Sequence, residues 1–365
     1  MRVVIIGIIF AACCFYACKS NKSSQNTSEQ ELSPKAIANN FKLIGEAVNE
    51  PGYDVWGSSP VRGEDGKVHL FCARWSGAIP FYEAWKYNSE IAHYVANNPE
   101  GPFQFENVVA SAAKSAGVWN KVGFHNPNIR KIDDKYVLVY IANDGAKQHG
   151  PTQFIGMMIA QNINGPWKQI PNKENPILKT PENESSWCFN SGCGVTNPSI
   201  LAHPNGKYYL YFKAMTGPRP KGRVKMGVAI ADKLTGPYVI QDKSITANDK
   251  AIEDGYAFMW RNHICLLTTD NHGIIEKGGG LLWVSKDGLQ FNTEPLPGFH
   301  HFGNYHLKGN IPENAKKHYG STVKFERPQL LQADNGEIEY LYCPSGVAID
   351  GSDGTNSYVL KFEAK

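Results

Sequence analysis

At 365 residues, with 42% hydrophobic and 12% aromatic content, the chain has ample material for a packed core. Its formal net charge is only +3, and no basic run stands out, which argues against nucleic acid as a partner. The lysines that gather late in the chain, Lys308, Lys316, Lys317 and Lys324, read as a solvated face.

Residues 1–18 read as an export signal, with Arg2 before a short apolar core from Val3 to Ala17. That core is too short for a comfortable membrane-spanning helix. It ends at Phe15-Tyr16-Ala17-Cys18, which resembles a bacterial lipoprotein cleavage box. The resemblance implies a lipid anchor on Cys18 and an exported lipoprotein of the periplasm or cell surface, held at the outer membrane. The alternative is a plain secretory signal with incidental cysteines. Residues 19–39, polar and low in complexity over most of their length, read as a flexible tether.

From residue 40 to 365 the chain reads as one domain built on a repeat. Pro127-Asn-Ile-Arg-Lys-Ile-Asp-Asp-Lys-Tyr-Val-Leu-Val-Tyr and Pro198-Ser-Ile-Leu-Ala-His-Pro-Asn-Gly-Lys-Tyr-Tyr-Leu-Tyr are its clearest copies. Each joins a short apolar strand, a polar turn and a strand of alternating aromatic and aliphatic residues. Further copies begin at Pro60, Ala257 and Pro328, so that the starts lie 59 to 71 residues apart. A second periodicity runs in register, with Gly101-Pro102-Phe103, Gly165-Pro166-Trp167 and Gly236-Pro237-Tyr238 each following an apolar strand. Five such units, with little helical spacing anywhere, predict an all-β, five-bladed β-propeller. Phe41-Lys-Leu-Ile and Ser357-Tyr-Val-Leu-Lys-Phe are expected to be strands that close the ring.

Cys72, Cys265 and Cys343 fall inside apolar strands and read as buried small hydrophobes. Cys188 and Cys193 share a turn-rich loop in which export would permit a disulfide.

The residues just before each first strand would ring the central funnel, and they are polar. Blade one offers Asp54 and Trp56, blade two His125 and Asn126, blade three Asn197, blade four Glu253, Asp254 and Tyr256, and blade five Glu326 and Arg327, preceded by His318. The loop from Ser76 to Ser89, with Phe81, Tyr82, Trp85 and Tyr87, can wall a sugar pocket. Carboxylates facing one another across a pocket suit glycoside hydrolysis, in which one group activates water or attacks and another donates a proton. Their proton affinities must be split by their surroundings. Arg74 and His301 are further candidates for holding sugar.

The Asp-Gly-Lys and Asn-Gly-Lys turns, the His-Asn-Pro and Glu-Arg-Pro segments and the Gly-Pro-aromatic turns together resemble the five-bladed propeller glycoside hydrolases of families 43 and 117, over residues 40–365. The family 117 pattern is nearer, because His318 precedes Glu326 by eight residues. That resemblance implies Asp54 as general base, Asp254 as a group that orients or stabilises the sugar, His318 as general acid and Glu326 as its tuning partner. It implies an inverting, exo-acting glycosidase that releases terminal α-linked galactose or 3,6-anhydro-galactose from oligosaccharides. It also implies a homodimer joined through residues 19–50. The chain departs from family 43 at Asn126, where that family has an acid, and at Ser59, which precedes Pro60 with Asp54 six positions upstream of that proline. Under a family 43 scheme, Glu253 replaces His318 as acid and the substrate becomes an arabinofuranoside or xyloside.

Two other readings stand beside these, a non-catalytic glycan-binding lipoprotein and a phosphorylase using Arg74, Lys324 and Arg327. The hydrolytic chemistry requires no cofactor. A Ca or Mg ion in the central channel is compatible with the resemblance, although no ligand spacing in the chain reads as a metal site.

Overall fold

The computed structural model describes Met1 and residues 34–48, 50–146, 152–246, 250–305, 324–346 and 355–364. The unit Ser33–Lys365 carries five antiparallel sheets of four strands each, arranged as a β-propeller. Cys18 and His318 lie outside the described residues.

The innermost strands are Tyr53–Arg62, Val122–Ile132, Val195–Ala202, Glu253–Trp260 and Gln329–Gln332. Their hairpin partners are Val68–Ser76, Lys135–Asn143, Tyr208–Met215, His263–Thr269 and Ile338–Gly346. These ten strands are the two halves of the repeated sequence. The turns between them fall where Asp65-Gly66, Asp133-Asp134, Asn205-Gly206 and Asn335-Gly336 supply positive φ or capping oxygens.

Ring closure uses both ends of the domain. Phe41–Val48 is the outermost strand of the fifth sheet and pairs with Thr355–Phe362, which in turn pairs with Ile338–Gly346. Both expected closing strands therefore lie in a single blade. Packing begins earlier than residue 40. Ile37 and Ala38, read as tether, are buried, and the Ile37 amide donates to the Pro297 carbonyl at 3.0 Å.

Apolar clusters fill the spaces between successive blades, because each strand is apolar on both faces. Val139, Met157, Ile200 and Phe212 typify the layer between blades two and three. Cys188 is buried in that layer, and neither it nor Cys193 is bonded to another cysteine, so the permitted disulfide is absent. Cys72, Cys265 and Cys343 are buried, as expected.

A polar belt near the axis joins each blade to the next. The Ser59 hydroxyl accepts from the Ile129 amide at 2.9 Å, Asn128 Oδ1 from Ile200 at 3.0 Å, and the Ser199 hydroxyl from Ala257 at 2.9 Å. The Tyr256 hydroxyl donates to the Leu330 carbonyl at 2.9 Å. Gln329 closes the circle, accepting from Ser59 at 2.6 Å and from Asn128 at 2.9 Å, and donating to the Pro127 carbonyl at 2.7 Å. Asn128→Ala strands the buried Ile200 amide and removes one of the two bonds to the Gln329 oxygen. We expect it to cost about 2–3 kcal/mol in urea unfolding, and a loss under about 0.5 kcal/mol would show that the belt does not hold the ring.

Candidate active site

One backbone feature recurs in every blade. Gly57, Asn126, Asn197, Asp254 and Arg327 all have φ between 44° and 62°. Each lies two residues before its blade's belt residue, and in blades one to four the strand register slips there, as in a β-bulge. Such φ values cost a non-glycine residue free energy, and they concentrate where surrounding structure and function demand them. The bulges turn five side-chain positions toward a common axis. At Gly57 an added Cβ would meet Asn126 Oδ1 at 3.2 Å and Arg327 Cγ at 3.4 Å, so the first blade makes room for its neighbours.

The ring is wired together. Asn126 Nδ2 donates to Asn197 Oδ1 at 2.6 Å, and Asn197 Nδ2 donates to Asp254 Oδ1. Arg327 reaches across the axis and donates to the Asn126 carbonyl at 3.2 Å and the Pro198 carbonyl at 2.8 Å. Burial lowers its proton affinity to a pKa of about 10, which leaves it charged at neutral pH. Three buried polar atoms of this ring have no partner among the described residues: Asn126 Oδ1, Thr196 Oγ1 and Arg327 Nε. A buried polar atom left unpaired costs about 1–3 kcal/mol, so an acceptor, a hydroxyl and a donor without partners mark the ring as polar ground whose hydrogen-bonding capacity is not used up.

Three carboxylates stand beside this ring. Glu253 is bonded to Lys213 Nζ at 2.9 Å, and Lys213 lies 3.6 Å from Asp254 Oδ1. The Lys213 charge holds the Glu253 carboxyl below the ordinary range, despite burial. Glu326 shifts the opposite way. Burial and the neighbouring Asp254 and Glu253 raise its proton affinity, and together they outweigh Lys324 Nζ at 2.5 Å. Asn271 Nδ2 also donates to Glu326 Oε1 at 3.1 Å. Asn271 is positioned by a loop built on Asp270, whose carboxylate accepts from the amides of Ile274, Ile275 and Glu276 at 2.8–2.9 Å.

Asp54 approaches from the first blade. It belongs to the innermost strand rather than to a long loop, and pairs with Trp75 across the hairpin. Its Oδ2 accepts from Trp75 Nε1 at 3.0 Å and its Oδ1 from the Thr355 amide at 3.2 Å. Burial, the largest influence, raises its proton affinity, while these two donors oppose the rise. Trp75 in turn lies 5.6 Å from the His125 ring, and Trp85 flanks the same ring at 5.6 Å. Phe81 packs edge-on against Trp56 and Trp75. The aromatic loop thus forms a wall that joins Asp54 to the ring. It is seated on blade two by Asn143 Nδ2, which donates to the Lys86 carbonyl at 2.7 Å.

His125 is buried, and its Nδ1 lies 2.9 Å from the Ser89 hydroxyl. Burial first, then the Arg327 and Lys213 charges, depress its pKa to about 3. Folding therefore keeps it neutral, and between pH 6.5 and 3 the unfolded chain binds the extra proton. That contribution to stability is lost on acidification, at about 1.4 kcal/mol per pH unit. His125→Asn should make the urea-unfolding free energy fall about 2 kcal/mol less than wild type between pH 7 and pH 5. An unchanged slope would contradict the assignment.

Other expected ligands are occupied elsewhere. Arg74 pairs with Glu50 at 2.6 Å and Glu90 at 2.9 Å and is covered by the Tyr53 and Phe105 rings, so it fastens the first blade instead of facing the funnel. Arg74→Ala should lower stability by roughly 2–3 kcal/mol in urea unfolding and leave ligand affinity unchanged; a selective loss of affinity would reverse this placement. Tyr256 is a buried belt residue that carries Arg130 over its ring. His301 Nε2 lies 3.4 Å from Glu276, on which the His300 side chain also converges. Trp56 is buried in the aromatic wall. Among the described residues no three His, Cys, Asp or Glu side chains cluster to hold a metal, and the amides of the axial belt are satisfied by one another. A Ca or Mg ion thus has no fitting donor set there.

Sequence reasoning missed Lys213 and Asn271. Lys213 had a signal, being the one charge in the apolar strand Tyr208–Met215. Asn271 had none, because its place depends on the Asp270 loop.

No family model matches the chain. In sequence it is similar to extracellular endo-α-(1→5)-L-arabinanase 2 of Bacillus subtilis (strain 168), 27% identical over 256 residues, 67% of this chain and 48% of that protein. It is also similar to an extracellular endo-α-(1→5)-L-arabinanase of Thermotoga petrophila, 25% identical over 217 residues, 53% of this chain and 42% of that one. The chain spans about half the length of the curated relatives it matches. In structure it is similar to a family 117 glycoside hydrolase of the marine bacterium Zobellia galactanivorans, with a TM-score of 0.62 at 16% identity over 88% of this chain and 90% of the other. A thermostable family 43 glycoside hydrolase gives a TM-score of 0.55 at 12% identity, over 88% and 96%. The fold is therefore that of the five-bladed propeller glycoside hydrolases of families 117 and 43.

Proposed function

We propose that the chain is an O-glycoside hydrolase, exo-acting and inverting, that releases a terminal α-linked galactose or 3,6-anhydro-galactose type residue from oligosaccharides of marine or plant polysaccharides. The observation that carries this reading is the set of carboxylates with opposed proton affinities beside three unpartnered polar atoms. Glu253 is held ionised by Lys213, while Glu326 is pushed toward its protonated form. Hydrolysis of an acetal needs that division between a group that keeps its proton and groups that do not.

In this reading Asp54 is the general base. Its two donors fix the carboxylate and leave a lone pair on each oxygen, and burial makes it more basic. Water loses a proton to Asp54 as its oxygen bonds to the anomeric carbon. The bond to the leaving oxygen breaks, and His318 supplies that oxygen with a proton. Asp254, locked by Asn197, faces the positive charge that develops at the sugar. Glu326, in the fraction that is ionised, raises the proton affinity of His318, and the two share the transferable proton. Lys213 argues against Glu253 as donor, because its charge holds that carboxyl below the ordinary range. Asn126, Thr196 and Arg327 bind sugar hydroxyls.

A second reading, favoured by the two arabinanase relatives, is hydrolysis of α-1,5-linked arabinan. Chromatography of products from agar-type and arabinan oligosaccharides separates the two. A single monosaccharide from the agar-type series supports the first reading, and a ladder from arabinan overturns it.

The export signal and Cys18 belong to the same proposal, as an exported lipoprotein of the periplasm or cell surface, as does a homodimer formed through residues 19–50. Labelling with radioactive palmitate should be lost in Cys18→Ala, and label retained in that variant would sink the anchor. Light scattering of the purified protein should give twice the chain mass, and a monomer would remove the dimer.

A further inference from the structure

We infer that the outer rim between blades one and two carries a second saccharide site, selective for chains that bear sulfate esters or carboxylates. A cavity of about 660 Å³ opens there, within the size range of small-molecule sites. It lies between the outermost strands of the two blades, Gln104–Ala110 and Lys168–Ile170. Three strand spacings, about 14 Å, separate those strands from the innermost ones that carry the funnel. The cavity is therefore not a branch of the candidate active site.

Its lining combines three features. Trp167 is only partly buried, and its ring is braced edge-on by Phe71 at 5.5 Å. A braced, half-open indole suits stacking on the C–H face of a sugar ring, which is apolar while its rim is polar. Lys114, Lys168 and Lys173 line the same cavity, all three are exposed, and no acidic residue joins them there. Three like charges on one wall attract an anion, with Lys114 held in place by its bond to the Val108 carbonyl at 2.6 Å.

The third feature is a buried, unpaired acceptor on a lining residue. Gln169 Nε2 donates to the Ser115 carbonyl at 3.0 Å and to the Tyr140 hydroxyl at 3.2 Å. Its Oε1 is buried without a partner among the described residues. Fixed in this way, Gln169 leaves hydrogen-bonding capacity unused beside the cavity wall, while the lysines take the anionic substituent. Such a site would hold a polymer on the enzyme while its chain end occupies the funnel.

Calorimetry on the full chain tests the proposal. The probes are a sulfated galactan tetrasaccharide, its desulfated counterpart and a tetragalacturonate. Binding of at least one anionic probe, about tenfold or more tighter than the desulfated one, is expected, and it tells sulfate from carboxylate. Lys168→Glu with Lys173→Glu, both at exposed positions, should weaken that binding about tenfold or more and leave turnover of a small chromogenic glycoside unchanged. Binding should persist in Asp254→Asn, which separates this site from the funnel and makes its failure distinguishable from failure of the proposed activity. Equal affinity for the desulfated probe, no effect of the charge reversal, loss of binding in Asp254→Asn, or no binding at all would each overturn it.

Discussion

Asp254→Asn is expected to lower kcat by about 10²–10³-fold, with KM changed less than fivefold and the propeller still folded. The reasons are local. Asparagine tolerates the positive φ at this position, so the bulge survives. The amide still occupies the space beside Asn197 and Thr269. What disappears is a negative charge that is only 10% exposed and faces the ring of unpaired polar atoms. A charge that matters in the transition state more than in the bound substrate is read in kcat. The check is steady-state kinetics beside thermal melting. A loss below tenfold would remove Asp254 from the chemistry, and a collapsed melting transition would make it a structural residue.

Glu326→Gln should move the alkaline limb of the kcat/KM profile to lower pH by roughly one unit. The sign follows from the proposed pairing. A carboxylate beside an imidazolium stabilises the charged ring and raises its pKa, so removing that charge makes the donor lose its proton earlier. Burial and the neighbouring Asp254 and Glu253 raise the Glu326 proton affinity itself, so under the proposed pairing Glu326 and His318 hold one proton between them over part of the range. The measurement is a pH–rate profile of the variant against wild type. Activity lost about equally at every pH would instead make Glu326 the proton donor and displace His318.

The architecture was readable because it is periodic. Each copy of the repeat specifies a hairpin by the contrast between a polar turn and apolar strands, and five copies in register leave few alternatives to a ring. The positions of Asn126, Asn197, Asp254 and Arg327 follow from the same register, since each precedes the belt residue of its blade by two. Chemistry at these positions was less legible. Arg74 looked free for a ligand because its partners, Glu50 and Glu90, come from segments that only the fold brings beside it. Tyr256 lies two residues after Asp254, yet the bulge at Asp254 sends it into the belt. Lys213 belongs to a different blade from Glu253 and Asp254, so their ion pairs exist only once blades three and four are adjacent. The polarity of the site is carried by such contacts between blades, and a linear reading does not order them.

The most direct test of the central claim is product release by the wild type and Asp54→Asn from a panel of agar, carrageenan and porphyran fragments, galactosides and arabinans. One monosaccharide is expected from an agar-type substrate, released by the wild type and reduced about 10²–10⁴-fold in a variant that still melts cooperatively. Release that survives in Asp54→Asn would remove the proposed base. Absence of release from every substrate, with binding to some glycan retained, would contradict the account and make the propeller a glycan-binding protein.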